Sequence, residues 1–145
     1  MLHVIKDLQD QLLELIKDDP VRPELAPEFR VNDNSKIFVL INDDQQKPMA
    51  VTCVKFLNVI PESVEDLAQT VSAANTAVFY TIWSYAKGAG QQLIREVQGS
   101  IEREYPDVET YVTLSPKTDI ARNFHLKNGA EIYRENLTTV NYLYR

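Results

Sequence analysis

Residues 76–97 read TAVFYTIWSYAKGAGQQLIREV, and this stretch changes character twice. Its first part, 76–83, is a continuous run of β-branched, aromatic and small apolar residues, which predicts a strand buried on both faces. Gly88 and Gly90 then precede a segment with apolar residues at helical spacing. A helix that starts after such a turn exposes unpaired N–H groups where an anion can approach. The turn therefore predicts either an anion site, with Lys87 as a nearby positive charge, or a simple structural turn. Its sequence has neither the Walker pattern nor the full Rossmann pattern of nucleotide-binding turns.

The segments on both sides extend the alternation of strands and helices. The predicted order is a helix at 2–17, strands at 36–41 and 49–57, a short helix at 61–73, the strand at 76–83, a helix between Gly90 and Pro106, a strand at 108–114, a helix within 117–129 capped by Thr118 or Asp119, and strands at 130–135 and 138–145. We therefore predict a single α/β domain over 1–145. It comprises an N-terminal helix in 1–19, an extended linker in 20–34 and a core in 35–145.

Length and composition are typical of one globular domain with its own core. The chain has 145 residues, of which 44% are hydrophobic and 25% charged. Its formal net charge of −6 disfavours nucleic acid as the main partner, because phosphate binding needs a basic face. No apolar run reaches the length of a membrane span, and the N-terminus lacks a signal-peptide pattern. Cys53 is the single cysteine, and we interpret it as a buried structural thiol in a cytoplasmic protein.

Two polar residues in the C-terminal half are candidates for chemistry. Ser115 follows a predicted core strand and precedes a proline, so it is either a donor to a ligand or a cap of the next turn. His125 lies in the last turn of a predicted helix, where the dipole stabilises an imidazolium whether or not the residue does chemistry. Position alone favours the structural role for both. No Cys/His spacing suits a metal, and no Gly-x-Ser-x-Gly motif supports a serine hydrolase.

The most specific motif in the sequence is NFHLKNGA at residues 123–130. It is accompanied by Phe79-Tyr80-Thr81-Ile82, Glu104-Tyr105-Pro106, Leu114-Ser115-Pro116 and Asn141-Tyr142-Leu143-Tyr144. Together these motifs resemble the catalytic domain of malonyl-CoA decarboxylases, which is similar in fold to the Gcn5-related N-acetyltransferases (GNAT). The resemblance extends from roughly residue 35 to the end of the chain.

The resemblance implies an α/β (α+β) GNAT-like acyl-CoA N-acyltransferase fold, with a mixed central sheet flanked by helices. It also implies that Ser115 and His125 are the catalytic pair, with the serine orienting the malonyl group or the thioester carbonyl. The histidine is then expected to act as an acid with a pKa near the working range. The coenzyme A pyrophosphate corresponds to the turn Lys87, Gly88, Ala89, Gly90 and Gln91, and secondary substrate contacts correspond to Asn123, Tyr142 and Tyr144.

The chain departs from the family pattern in three places. The turn near Gly88 is shorter and lacks an acidic residue that the family carries there. The segment between the Leu-Ser-Pro motif and the histidine motif is reduced to KTDIAR at 117–122. The large helical domain that precedes the catalytic domain in the family is represented by at most one short helix.

Three functions are therefore open. The first is a minimal malonyl-CoA decarboxylase, a lyase that converts malonyl-CoA to acetyl-CoA and CO₂, with the coenzyme A thioester as substrate and neither a metal nor a tightly bound cofactor. The second is a GNAT-type N- or O-acyltransferase in which Tyr142 or Tyr144 protonates the leaving thiolate. The third is a non-catalytic acyl-CoA-binding or interaction module, which the missing acid supports. In each, the partner is a small-molecule acyl-CoA rather than nucleic acid or a membrane, and the N-terminal helix leaves a homodimer open.

Overall fold

The computed structural model describes residues 1–145 and is built around one eight-stranded sheet. The strands are β1 (Leu2–Ile5), β2 (Ser35–Ile41), β3 (Pro48–Leu57), β4 (Thr76–Ser84), β5 (Thr110–Thr113), β6 (Ser115–Pro116), β7 (Glu131–Glu135) and β8 (Thr139–Tyr144). The helices are α1 (Pro27–Arg30), α2 (Ala89–Glu104) and α3 (Asp119–Lys127), with 3₁₀ helices at Gln11–Asp18 and Glu65–Ala68. None of these helices has the length and apolar character needed to span a bilayer.

The sheet is mixed, with a single parallel pair. β1 to β4 pair antiparallel in chain order, β4 and β5 are parallel, and β5, β6 and β7 each pair antiparallel with β8. α2 forms the crossover that a parallel β4–β5 pair requires. The predicted mixed sheet, the β2–β3 hairpin and the two longer helices are therefore confirmed. The helix predicted at 61–73 is reduced to the 3₁₀ turn Glu65–Ala68.

α2 covers one face of the sheet. Its Leu93, Val97 and Ile101 are fully buried and belong to the same core cluster as Phe38 and Phe79 of the sheet. The helical side chains recur at three- and four-residue steps, so the pattern that predicts the helix also identifies its buried face.

The N-terminal third of the chain covers the opposite face. Leu12, Ile16 and Phe29 pack against a second core cluster that contains Ile37 and Cys53. Burial raises the pKa of the Cys53 thiol to about 12, so the thiolate is not formed at neutral pH. Cys53 is therefore a structural residue, as its place within a strand indicates.

The N-terminal helix predicted for residues 2–17 is wrong. Leu2–Ile5 instead form β1, which pairs antiparallel with β2, and the N-terminal amine donates to the Ile41 carbonyl at 2.9 Å. Gln11–Asp18 form a 3₁₀ helix whose first turn is capped by the Asp10 carboxylate. The apolar spacing alone fits either arrangement. The strand prevails because it also pairs with the backbone groups along the edge of β2, which a helix cannot do.

Residues 20–34, predicted to be an extended linker, are part of the folded core. They contain α1 and two buried arginines, Arg22 and Arg30. Arg30 Nη1 lies 2.7 Å from Asp19 Oδ2, and neither side chain is exposed to solvent. Asp19 Oδ1 accepts from the Thr81 hydroxyl at 2.7 Å, which ties this segment to β4. Three prolines indicate an extended path but give no sign of this ion pair.

The sheet opens between β4 and β5, and this opening positions the functional site. β4 pairs with β5 only through Thr76–Phe79. The register of the β3–β4 pair shifts at Tyr80, where a β-bulge bends β4. Arg22 lies across the opening: its Nε donates to the Tyr80 carbonyl at 3.2 Å and its Nη2 to the Leu114 carbonyl at 3.1 Å. The guanidinium thus satisfies backbone groups that the separated strands leave unpaired.

Candidate active site

The opening between the two strands contains a cavity of about 350 Å³. Its walls come from β4, β6, α3, the first turn of α2 and the Pro20–Val21 segment. The side chains with polar atoms in these walls are those of Tyr80, Thr81, Trp83, Ser84, Ser115, Thr118 and His125. The cavity therefore presents hydroxyl groups and one imidazole within a mostly apolar surface, and no permanently charged side chain lines it.

The structure brings Ser115 and His125 to the same cavity. Ser115 is in β6, directly after β5 ends, and its Oγ lies 2.7 Å from the Thr113 hydroxyl. His125 is in the last turn of α3, whose start is capped by the Thr118 hydroxyl. α3 follows β6 after a short turn and folds back over the opening. The histidine thus returns to the strand end that carries the serine.

His125 is held on two sides. Its Nδ1 lies 2.6 Å from the Tyr144 hydroxyl, and its ring stacks on Tyr142 with the centroids 4.9 Å apart. Burial lowers the pKa of His125 to about 4, so the imidazole is neutral at neutral pH. The expected pKa near the working range is therefore wrong, because the sequence does not show that only 5% of this side chain is exposed.

We assign the proton of the neutral imidazole to Nε2. Burial raises the pKa of Tyr144, which makes no other hydrogen bond, so its hydroxyl stays protonated and donates to His125 Nδ1. An imidazole that accepts at Nδ1 carries its proton on Nε2. Nε2 has no hydrogen-bond partner within the chain. It is therefore a donor available to a ligand.

The first turn of α2 also presents unpaired donors. Gly88 precedes the helix with a φ of 80°, in the left-handed region that favours glycine. The Ala89 N–H is used within the turn, whereas the N–H groups of Gly90 and Gln91 make no hydrogen bond inside the chain. Gly90 lines the cavity, and Lys87 is exposed beside it. This turn therefore has the donors and the dipole direction that suit an anion.

The remaining predicted site residues lie outside the cavity. Tyr142 and Tyr144 are buried behind His125 and contact its ring rather than the open space. Asn123 is exposed on α3 and does not line the cavity. The expected contact between Asn123 and a substrate therefore has no support in this geometry, whereas the two tyrosines support the histidine.

Residues 17–140 match the family described as the malonyl-CoA decarboxylase C-terminal domain. The match covers most of the chain, including both strands of the opening and all of α3. The chain belongs to this family. The resemblance indicated by the motifs is thus confirmed.

Solved structures show the same fold. Malonyl-CoA decarboxylase from Agrobacterium vitis is 20% identical to the chain with a TM-score of 0.85, over 100% of this chain and 60% of that protein. An acetyltransferase assigned to the GNAT family from Desulfovibrio desulfuricans is 12% identical with a TM-score of 0.66, over 100% and 99% of the two chains. The E. coli protein YhhK, an N-acetyltransferase by name and solved bound to coenzyme A, is 15% identical with a TM-score of 0.61, over 99% and 98%. The predicted GNAT-like fold is confirmed.

The chain is shorter than the decarboxylases it matches. It spans 59–60% of the length of the malonyl-CoA decarboxylases from Agrobacterium vitis, Cupriavidus metallidurans and Rhodopseudomonas palustris. Comparison with curated protein sequences gives no significant match.

Sequence reasoning did not single out three residues in or beside this cavity: Arg22, Thr113 and Phe124. The sequence does indicate a role for Thr113, because a Thr-x-Ser pattern in a strand places both hydroxyls on the same face. Phe124 lies in the histidine motif, and its ring contacts His125 edge-on with the centroids 5.1 Å apart. Nothing in the sequence indicates a role for Arg22, since it lies in a proline-rich segment far from the motifs.

Proposed function

We propose that this chain binds coenzyme A thioesters and decarboxylates malonyl-CoA to acetyl-CoA and CO₂. The observation that carries the proposal is that Ser115 and His125 line one cavity beside the free N–H groups that begin α2. Membership of the malonyl-CoA decarboxylase family supports the reaction. The same fold in a protein solved with coenzyme A supports the ligand class.

Coenzyme A would be held by its phosphates at the first turn of α2. The N–H groups of Gly90 and Gln91 are free, and the positive end of the helix dipole favours a pyrophosphate there. Lys87 is exposed beside the turn and adds a positive charge. The pantetheine arm would then extend into the opening between β4 and β5, whose cavity is lined in part by Gly90.

Decarboxylation requires an acceptor for the electron pair released when the C2–carboxylate bond breaks. The pair moves into the thioester, which becomes an enolate with negative charge on its oxygen. The Ser115 hydroxyl and the His125 Nε2–H are the donors in the cavity that suit this oxygen. C2 then takes a proton from His125 Nε2, while the hydrogen bond that the Tyr144 hydroxyl donates to Nδ1 stabilises the ring as it loses this proton. After CO₂ leaves, water that enters the cavity returns a proton to Nε2 and restores the neutral imidazole.

The character of the cavity favours loss of a carboxylate. No cation lines the cavity, so a malonyl carboxylate gains no ion pair there that would stabilise it relative to neutral CO₂. The acyltransferase alternative assigns Tyr142 or Tyr144 to the leaving thiolate. Neither tyrosine lines the cavity, and the Tyr144 hydroxyl is already bonded to His125. The geometry therefore supports decarboxylation better than acyl transfer.

The proposal is tested by incubating the chain with malonyl-CoA and no acceptor. We expect acetyl-CoA and CO₂ in equal amounts, measured by chromatography of the thioesters and by capture of the gas. A parallel sample of the His125→Asn variant corrects for spontaneous decarboxylation. Turnover of acetyl-CoA only after an amine is added would instead support an acyltransferase, and binding of malonyl-CoA without product would support a binding module.

The placement of coenzyme A predicts an effect of Gly90→Leu. A Cβ at Gly90 would lie 3.0 Å and 3.1 Å from two ring atoms of Phe124, so a larger side chain must displace that ring and crowd the free N–H groups. We expect the dissociation constant of coenzyme A, measured by titration calorimetry, to rise at least about tenfold, or about 1.4 kcal/mol. Gly99→Leu is the matched control in the same helix, where a Cβ meets only the end of the Arg103 side chain at 3.4 Å. Equal affinity in both variants would move the pyrophosphate site elsewhere.

A further inference from the structure

Thr113 makes a direct contact with the proposed catalytic serine. Its Oγ1 lies 2.7 Å from Ser115 Oγ, and either oxygen can be the donor on distance alone. Thr113 is in β5 and is completely buried, whereas Ser115 lines the cavity. The two side chains are two residues apart and therefore project to the same side of the chain.

The surrounding hydrogen bonds decide the direction of this contact. Thr113 Oγ1 already accepts from the Tyr142 backbone N–H at 3.1 Å. If Ser115 donated to it as well, the proton of the buried Thr113 hydroxyl would have no acceptor, because Ser115 Oγ is the only other partner of that oxygen. A buried donor without an acceptor is unfavourable, because it has lost its hydrogen bond to water and gained none in return. When Thr113 donates to Ser115, the buried threonine hydroxyl is satisfied, and the Ser115 proton remains free at the cavity wall.

We infer that Thr113 is a positioning residue that makes Ser115 a hydrogen-bond donor to the thioester oxygen. With one lone pair of Ser115 Oγ occupied by Thr113, the serine proton is directed away from the strand and into the cavity. This inference rests on the proposed binding of an acyl-CoA. It adds an orienting group to the site, since a serine without such a partner can rotate its proton away from the ligand.

The position of Thr113 is itself fixed at the point where β5 leaves β4. Its carbonyl accepts from Asn141 Nδ2 at 2.9 Å, and the same amide group donates to the Pro61 carbonyl at 2.9 Å. Asn141 is fully buried in β8. The threonine is therefore held by backbone contacts that do not depend on a ligand, as preorganised stabilisation of an oxyanion requires.

The test is a double-mutant cycle with Thr113→Val and Ser115→Ala, read out by binding as well as by turnover. Acetyl-CoA and S-ethyl-CoA, a thioether without the carbonyl oxygen, are titrated into each variant. We expect the wild type to prefer acetyl-CoA, Thr113→Val to lose most of this preference, and Thr113→Val to have no further effect in the Ser115→Ala background. Turnover of malonyl-CoA should follow the same pattern, with kcat about ten- to a hundredfold lower in Thr113→Val and KM nearly unchanged.

Thr113→Ser is the conservative variant, because it keeps the hydroxyl and the bond to the Tyr142 N–H. We expect it to restore both the thioester preference and kcat. Thermal melts of each variant test whether it is folded. Thr113→Val with wild-type preference, or with the same loss whether or not Ser115 is present, would overturn the inference. A wild type that prefers acetyl-CoA but does not consume malonyl-CoA would sink the decarboxylase proposal and leave the role of Thr113 standing.

Discussion

Replacing His125 with asparagine is expected to lower kcat for malonyl-CoA decarboxylation by a factor of about 10²–10⁴, while coenzyme A affinity stays nearly unchanged. Asparagine places a polar atom near the position of Nδ1 and can still contact the Tyr144 hydroxyl. It has no atom at the position of Nε2, which is the donor available to the cavity. The first turn of α2, where the phosphates are proposed to bind, is left intact. Steady-state kinetics and titration with coenzyme A measure the two quantities separately.

His125→Gln is the matched variant. Its longer side chain brings an amide nitrogen close to the position of Nε2 but loses the contact with Tyr144. We expect it to retain part of the activity that His125→Asn loses. If both variants lost activity equally and in proportion to a loss of folding stability, the histidine would be structural and the proposed chemistry would have no proton donor.

The low pKa of His125 also determines how kcat depends on pH. Because the imidazole is neutral above about pH 4, kcat should not fall as the pH rises through the unperturbed value of about 6.5, as it would for an imidazolium acid.

The same low pKa makes stability depend on pH. Between about pH 4 and about pH 6.5 the unfolded chain binds more protons than the folded chain. The contribution of His125 to stability is therefore complete above pH 6.5 and decreases by about 1.4 kcal/mol per pH unit as the pH falls to 4. Urea unfolding at several pH values should show this slope in the wild type and not in His125→Asn.

The sequence predicts the central part of the fold because local pattern and burial agree there. The run at 76–83 is apolar on both faces, and β4 is buried on both faces. The periodic face of α2 is the face that packs on the sheet. At the N-terminus the two disagree: residues 2–17 have helical spacing, but β1 pairs with a strand more than thirty residues away. The local sequence pattern of residues 2–17 gives no information about a strand partner that lies so far along the chain.

The candidate site, like the fold, is only partly predictable from the sequence. The family resemblance singles out Ser115 and His125, and both side chains line the same cavity. They do not show that His125 is neutral, because that depends on burial by Tyr142 and Tyr144 from β8. They also do not show Arg22, whose two contacts to separated strands exist only once the sheet has opened. The protonation state of a buried side chain, and its contacts with residues distant in the sequence, depend on the assembled fold.

Replacing Arg30 with methionine is expected to reduce the free energy of unfolding by about 3–5 kcal/mol. Arg30 and Asp19 are both fully buried and are joined at 2.7 Å. Without the guanidinium, the Asp19 carboxylate is an unpaired charge in the core. The Arg22 and Leu25 carbonyls lose their donors as well. Since domains of this size have a total stability of about 5–15 kcal/mol, urea unfolding should show a much lower midpoint.

The exposed pair Arg145–Glu131 provides the matched control. Its atoms lie 3.2 Å apart, but the side chains are 74% and 61% exposed, so Arg145→Met is expected to change stability by less than about 1 kcal/mol. The buried pair should also affect the site, because Asp19 Oδ1 accepts from the backbone N–H of Arg22, the residue that bridges the opened strands. We therefore expect Arg30→Met to weaken coenzyme A binding even at temperatures where the variant is folded. If it cost no more stability than Arg145→Met, the buried ion pair would not hold this segment in place, and the segment behind the cavity would not be the fixed wall that this fold requires.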